Sequence, residues 1–490
     1  MRRLFALDFA LVGLRKQCAV LGALWIFSAA QAQSIQLEPL PDLRIPGYRF
    51  PENEATLTRW IMAMSRSSTA TVVDHASAKI HLHGWGLWTA LTSLSAQSSG
   101  GQRLRVFESW MTADELATNP EIATAPWKPA ARRRGILKPL AEFQAASAEG
   151  LVPDSRIDRV LGFTKYDPSA AAHIARQDLL NLSTLDTLLQ AGAQEIPPFP
   201  ATALAVKPVF QIVTGPALVD GRYFLLKAWS GPPEIPQAFA PSQWPGAVWI
   251  DVWGEGLGDG SIDFTAAADG SGRTEATTYP LSNFIHYQLS AADAGALNQA
   301  KPSTGASAGD YAVLVAMHVS SRETARWTWQ TFWWAANPDD PGEPSSPVIA
   351  RARPAQLRGA ARHYAMALAY TLLSPDQPYV GGENIGAAVY AYNPYIEARF
   401  GPADLPDSRP GYTPAGAPAR NNVGVQSNCM SCHMQATYNP RRLATAPRFA
   451  GARYVDLGAA DFTGTLQVDF LWSLPRHARA APAAKLTIVP

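Results

Sequence analysis

The sequence predicts an α+β fold with a mostly helical amino-terminal part, a β-rich aromatic middle and a helical to irregular carboxy-terminal region. Between about residues 53 and 195, apolar residues recur at helical spacing behind helix-start signals. From about 205 to 336 they fall instead into short β-branched and aromatic runs bounded by turns. The 40 Pro and 36 Gly among 490 residues point to many turns and irregular connections between these elements.

Residues 1–32 read as a secretory signal peptide. Arg2, Arg3, Arg15 and Lys16 flank or precede the apolar run CAVLGALWIFSAA, and Ala30-Gln31-Ala32 offers the small-x-small pattern of a cleavage site. Cleavage after Ala32 removes Cys18 and places the mature chain in the periplasm; an uncleaved anchor is the competing reading. No later segment approaches the roughly 20 apolar residues that a membrane span needs, so none is expected in the mature chain. A formal net charge of +1 leaves no basic excess to neutralise phosphates, which argues against nucleic acid as a partner.

The elements follow in order. In the helical region, 33–200, NEATLTRWIMAMSR places Leu57, Ile61 and Met64 on one helical face with Trp60 beside them. Thr112-Ala113-Asp114-Glu115 reads as a capping box after the strand-like RLRVFESW, and Asp167-Pro168 as the start of another helix. The β-rich region, 201–345, carries KPVFQIV, RYFLLKAW, GAVWIDVW, DYAVLVAMHVS and RWTWQTFWW as strands. In the last of these, Trp327, Trp329 and Trp333 fall in one register and Phe332 and Trp334 in the other. That row of indoles either stacks on a ligand or forms core between two layers. NPDDPGEPSSP then reads as a linker. In the final region, 346–490, LRGAARHYAMALAYTLL and AVYAYNPYIEARF read as helices.

Two pattern matches carry little. GASAG around Ser307 has a turn before it and a strand after it, the reverse of a nucleophile elbow. GLGDGSID lacks the regular oxygen ligands and closing Glu of a calcium loop and reads as a turn.

The chain has three cysteines, and the two outside the leader are three apart, Cys429 and Cys432, with His433 directly after. A disulfide there closes a very small loop and constrains little. A thioredoxin-like pair wants a strand before a helix start, whereas a Pro/Gly-rich run precedes Cys429. A structural zinc site wants four ligands, usually two such pairs. Two thiols at this spacing can add to the two vinyl groups on one edge of a porphyrin, and the next residue then reaches the iron. A bare disulfide or redox pair remains the competing reading.

C-x-x-C-H at Cys429, Cys432 and His433 resembles the haem-attachment motif of c-type cytochromes. The resemblance covers these residues and little else of the chain, and identifies no subfamily. It implies one covalently attached haem c, with His433 as an axial ligand of the iron. Small soluble cytochromes c generally carry the motif early in their domain and an axial Met well downstream; here the only Met after His433 is Met434, too near to reach the opposite haem face. The four-helix class carries it late and on a helix, which the preceding Pro/Gly run argues against.

Candidates for the opposite face of the iron are Met62, Met64, Met111, Met317 and Met366 upstream, together with eight other histidines. His83 and His318 lead: the first sits in the apolar stretch HLHGWGLW, the second ends an apolar strand with Arg322 and Glu323 nearby. The expected role is electron transfer with a redox partner protein. Because a carrier needs only about 100 residues, a haem-dependent oxidoreductase acting on peroxide or another small molecule is the first alternative. A haem-bearing module that binds a polymer or a protein is the second.

Overall fold

The computed structural model describes residues 34–66, 70–128, 130–140, 160–235, 237–400, 424–441, 451 and 453–480. The leader with Cys18 and its cleavage site lies outside these residues, as does most of the Pro/Gly-rich run before Cys429. The fold is α+β.

Its centre is a nine-stranded antiparallel sheet built from β1 (Met111–Thr112), β2 (Lys138–Pro139), β3 (Leu161–Gly162), β4 (Lys165–Tyr166), β5 (Leu204–Val213), β6 (His286–Gln288), β7 (Tyr311–Ser321), β8 (Thr328–Trp334) and β9 (Tyr364–Ala369). Its main path runs β9-β8-β7-β5-β3-β2; β6 pairs with β7, and β4 joins β1 to β5. The three long strands β5, β7 and β8 are the aromatic and β-branched runs of the middle region, as predicted. RYFLLKAW and GAVWIDVW supply Tyr223–Lys227 and Ala247–Asp251, which pair in a separate three-stranded sheet with Thr278–Pro280.

Register sorts the residues of the large sheet onto its two faces. His318 stands opposite both Lys207 and Thr331, and Ser320 opposite both Ala205 and Trp329, so these share one face. Met317 stands opposite Phe332, which stands opposite Met366, and these share the other.

Helices cover that second face. The helix α1 (Glu54–Arg66) follows Asn53, whose side chain accepts from the Ala55 amide. Leu57 and Ile61 of α1 form a small core with Ile80 and Tyr370, as the helical spacing predicts. The longer α2 (Ala70–Thr92) is buried from His83 to Thr92, where it crosses the sheet. Trp88 stacks on Phe332 at 4.2 Å between centroids, and the Trp85 and Trp88 indoles donate to the Ile349 and Ala361 carbonyls. The two glycines of GWG permit this closeness. A Cβ at Gly84 would meet the Met366 sulfur at 2.8 Å, and one at Gly86 would meet the Tyr48 ring at 2.2 Å.

The local helix signals hold. Thr112 caps α3 (Ala113–Thr118) in a reciprocal box with Glu115, and Asp167 caps α4 (Pro168–Arg176) through the Ser169 and Ala170 amides. NPDDPGEPSSP is a fixed connection: the Trp229 indole donates to the Glu343 carbonyl at 2.6 Å and Arg353 pairs with Asp339. Both helices expected after residue 350 are corrected. LRGAARHYAMALAYTLL forms a 3-10 turn, Gly359–His363, and then strand β9. A strand buried on both faces shows no alternation, so the apolar run does not separate it from a helix; pairing along β8 decides. AVYAYNPYIEARF is broken by Pro394; its first residue pairs with the preceding one in a two-residue strand, Ala387–Ala388, and its end forms a 3-10 turn, Glu397–Arg399.

The main apolar core runs from Leu37 to Leu474 without a break at the regional boundaries near 200 and 345. Among the described residues no helix is long and apolar enough to cross a membrane.

Candidate functional site

The cysteine pair sits on a single helical turn, α5 (Cys429–His433), which corrects the expectation that the Pro/Gly-rich approach keeps the motif off a helix. Asn428 starts the turn by itself. Its Oδ1 accepts from the Met430 amide, while its Nδ2 donates to the carbonyls of Thr371 and Val389. The Cys429 amide donates to the Ala391 carbonyl, so the turn is pinned to the chain leaving β9. Helical spacing puts Cys429, Cys432 and His433 on one side of the turn.

That side meets the first face of the large sheet across a cavity of about 430 Å³, within the range that holds small molecules and cofactors. Lys207, His318 and Trp329 line it from the sheet, and Cys432, His433 and Arg476 from the carboxy-terminal segment. The rim near α6 (Ser473–His477) carries Asp114, paired with both Lys138 at 2.6 Å and His477 at 3.2 Å. The hydrogen bond with His477, reinforced by Lys138, holds the Asp114 carboxyl well below the usual carboxylate range.

His433 is set within the wall. Its Nδ1 donates to the Phe470 carbonyl at 2.8 Å, and its ring lies 4.1 Å from the Trp329 ring between centroids. Nε2 makes no hydrogen bond among the described residues. Burial pushes the imidazole down to about 3, with the nearby His318, Lys207 and Arg476 charges adding to the effect against the opposing Phe470 bond. The ring is therefore neutral above acid pH, and its Nε2 lone pair is available to a metal.

The two thiols differ. Cys432 lines the cavity; Cys429 is 8% exposed, and its Sγ donates to the Ala391 carbonyl at 3.2 Å. They are not bonded to each other. Burial, aided by the Glu397 charge, pushes both thiols up, Cys432 to about 12. A redox-active dithiol uses the opposite arrangement, a lowered thiol pKa at an electropositive helix start. Among the described residues no three or more His, Cys, Asp or Glu side chains are grouped to hold a metal ion by themselves.

The structure separates the two leading distal candidates. His318 faces the cavity, its Nε2 2.8 Å from Glu397 Oε1. His83 lies on the helical side of the sheet and uses both ring nitrogens there, Nδ1 with the Tyr370 hydroxyl at 2.6 Å and Nε2 with Glu323 at 3.0 Å. Met317 and Met366 also face the helices.

The aromatic strand divides its labour. Phe332 and Trp334 stack on Trp88 and Phe284, Trp329 walls the cavity, and Trp327 lies outside β8. All are at most 3% exposed, so this strand presents no indole row to solvent. Sequence reasoning missed Glu397, Trp472 and Phe470. Phe470 contributes a carbonyl, which any residue carries, and Glu397 lies in a segment read as helix.

Comparison with known proteins finds no family whose model matches the chain, no matching curated protein and no matching solved structure.

Proposed function

We propose that this chain is an exported mono-haem c-type cytochrome whose role is electron transfer to or from a redox partner protein. The observation that carries the reading is His433: a neutral, partly buried imidazole fixed through Nδ1 by a backbone carbonyl, with Nε2 facing no protein partner among the described residues, one residue after a cysteine that opens on the same cavity. A metal-binding histidine is prepared in this way. The residues fit the group. Cys429 and Cys432 would hold the porphyrin through thioethers, Cys429 after turning its thiol from the Ala391 carbonyl, and His433 would bind the iron. Lys207 and Arg476 supply positive charge for the porphyrin carboxylates, and Trp329 and Trp472 supply apolar wall. The bound iron would supply one-electron chemistry. This chain's own groups position it, exclude water and neutralise its charge.

A second reading, a haem-dependent oxidoreductase of small molecules, is favoured by one observation: the His318–Glu397 pair faces the same cavity as His433. A histidine backed by a carboxylate there can take up or give a proton to a bound small molecule.

The test is expression in a host with cytochrome c maturation machinery. The mature chain should begin at or near Gln33, stay red after acid-acetone extraction and hold one haem, and replacing both Cys429 and Cys432 by Ala should abolish the colour. A colourless wild-type protein from that host overturns the reading and restores the bare dithiol.

A further inference from the structure

The acceptor that fixes His433 sits in an unusual turn. Val468 to Leu471 is closed by the Leu471 amide on the Val468 carbonyl, and its two central residues, Asp469 and Phe470, have φ of 45° and 68°. Two successive left-handed residues make a type I′ turn, which normally takes Asn, Asp or Gly at its centre. Phenylalanine is a poor occupant, because its Cβ crowds the backbone there. Something outside the turn must therefore hold it.

The Asp469 carboxylate does so. Oδ1 accepts from the Trp327 indole at 3.0 Å, Oδ2 from the Phe199 amide at 3.0 Å, and Arg322 Nε reaches both oxygens at 3.2 and 3.0 Å. Arg322 and Trp327 belong to the loop joining β7 to β8, the two strands that carry His318 and Trp329 into the cavity. The turn that aims a carbonyl at His433 is thus anchored to the sheet forming the opposite wall.

We propose that Asp469 is the positioning residue for His433. By holding the left-handed turn, it aims the Phe470 carbonyl at Nδ1, fixes the tautomer with its proton on Nδ1, and raises the electron donation of Nε2. The effect on iron rests on the cytochrome reading; the effect on the tautomer does not.

The experiment compares the full mature chain with Asp469→Asn, Trp327→Phe and the double variant Asp469→Asn/Phe470→Gly. Two quantities are read: the nitrogen-15 shifts of the His433 ring and the reduction midpoint potential of the haem. In Asp469→Asn the Nδ1 proton should lose its fixed acceptor and the potential should rise, because a less electron-rich ligand favours ferrous iron. Trp327→Phe, which removes one of the clamp's donors, should move both in the same direction by less. Glycine at 470 adopts the turn without the clamp, so the double variant should return both toward wild type. Asp339→Asn, which breaks the Arg353 ion pair in the 337–347 connection, should leave both the ring shifts and the potential unchanged. Unchanged ring shifts and potential in folded Asp469→Asn and Trp327→Phe proteins overturn the proposal. A wild type without haem overturns the cytochrome reading alone, and the ring shifts then decide the clamp.

Discussion

The imidazole of His433 lies against the indole of Trp329, ring centroids 4.1 Å apart, one from the carboxy-terminal helical turn and the other from the central strand β8. The Trp329 indole is held by donation to the Arg326 carbonyl, and the imidazole by Phe470. Two distant segments thus meet as preset surfaces.

Truncating this contact tests its weight. Trp329→Ala removes a 3%-exposed indole and should cost about 3–5 kcal/mol, read as a lower urea midpoint. It should also open the His433 side of the cavity and shift the visible spectrum of the haem-loaded protein. Trp329→Phe should keep most of both properties.

His83 and His318 should respond in opposite ways. His318→Ala should leave stability nearly unchanged and alter the visible spectrum and carbon monoxide binding of the reduced protein. His83→Ala should leave the spectrum in place and cost about 1–3 kcal/mol, because it removes one of the three hydrogen bonds to Glu323, whose side chain is fully buried. A spectral change in His83→Ala with none in His318→Ala would reverse the assignment.

Residues 350–490 expressed alone should not hold haem as the full chain does. That fragment contains Cys432, His433 and Arg476 but lacks Lys207, His318 and Trp329, so one wall of the cavity is missing. A porphyrin exposes two large apolar faces, and leaving one in water forfeits most of its burial. The fragment should show unstable or high-spin haem; a stable fragment with the full-length spectrum would make the carboxy-terminal region an independent domain.

His81 should make the chain acid-sensitive. Its Nδ1 is buried without a hydrogen bond among the described residues, and burial pushes the imidazole down to about 4. The unfolded imidazole takes its proton near 6.5, so unfolding gains protons as pH falls between those values and stability is lost on that side. The loss attributable to His81 should reach about 3 kcal/mol between pH 7 and pH 4. His81→Leu should reduce the fall of the urea midpoint over that range.

The amino-acid sequence by itself determined what depends on neighbours in the chain. The capping box at Thr112 and Glu115, the start at Asp167-Pro168 and the strand runs of the middle region are all in place, since each rests on interactions within a few residues. The spacing of Cys429, Cys432 and His433 belongs to the same class, because a helical turn sets it. Tertiary structure decided the rest. The segment from Tyr364 is a strand because β8 offers it an edge, although its apolar run suits a helix equally well. His83 and His318 look alike as histidines in apolar surroundings; which side of the sheet each occupies depends on register and on where α2 packs. The acceptor for His433 is a backbone carbonyl aimed by a turn without glycine, and a distant loop holds that turn. Backbone groups carry no residue identity, and a conformation imposed from outside the turn leaves no local signal in its sequence.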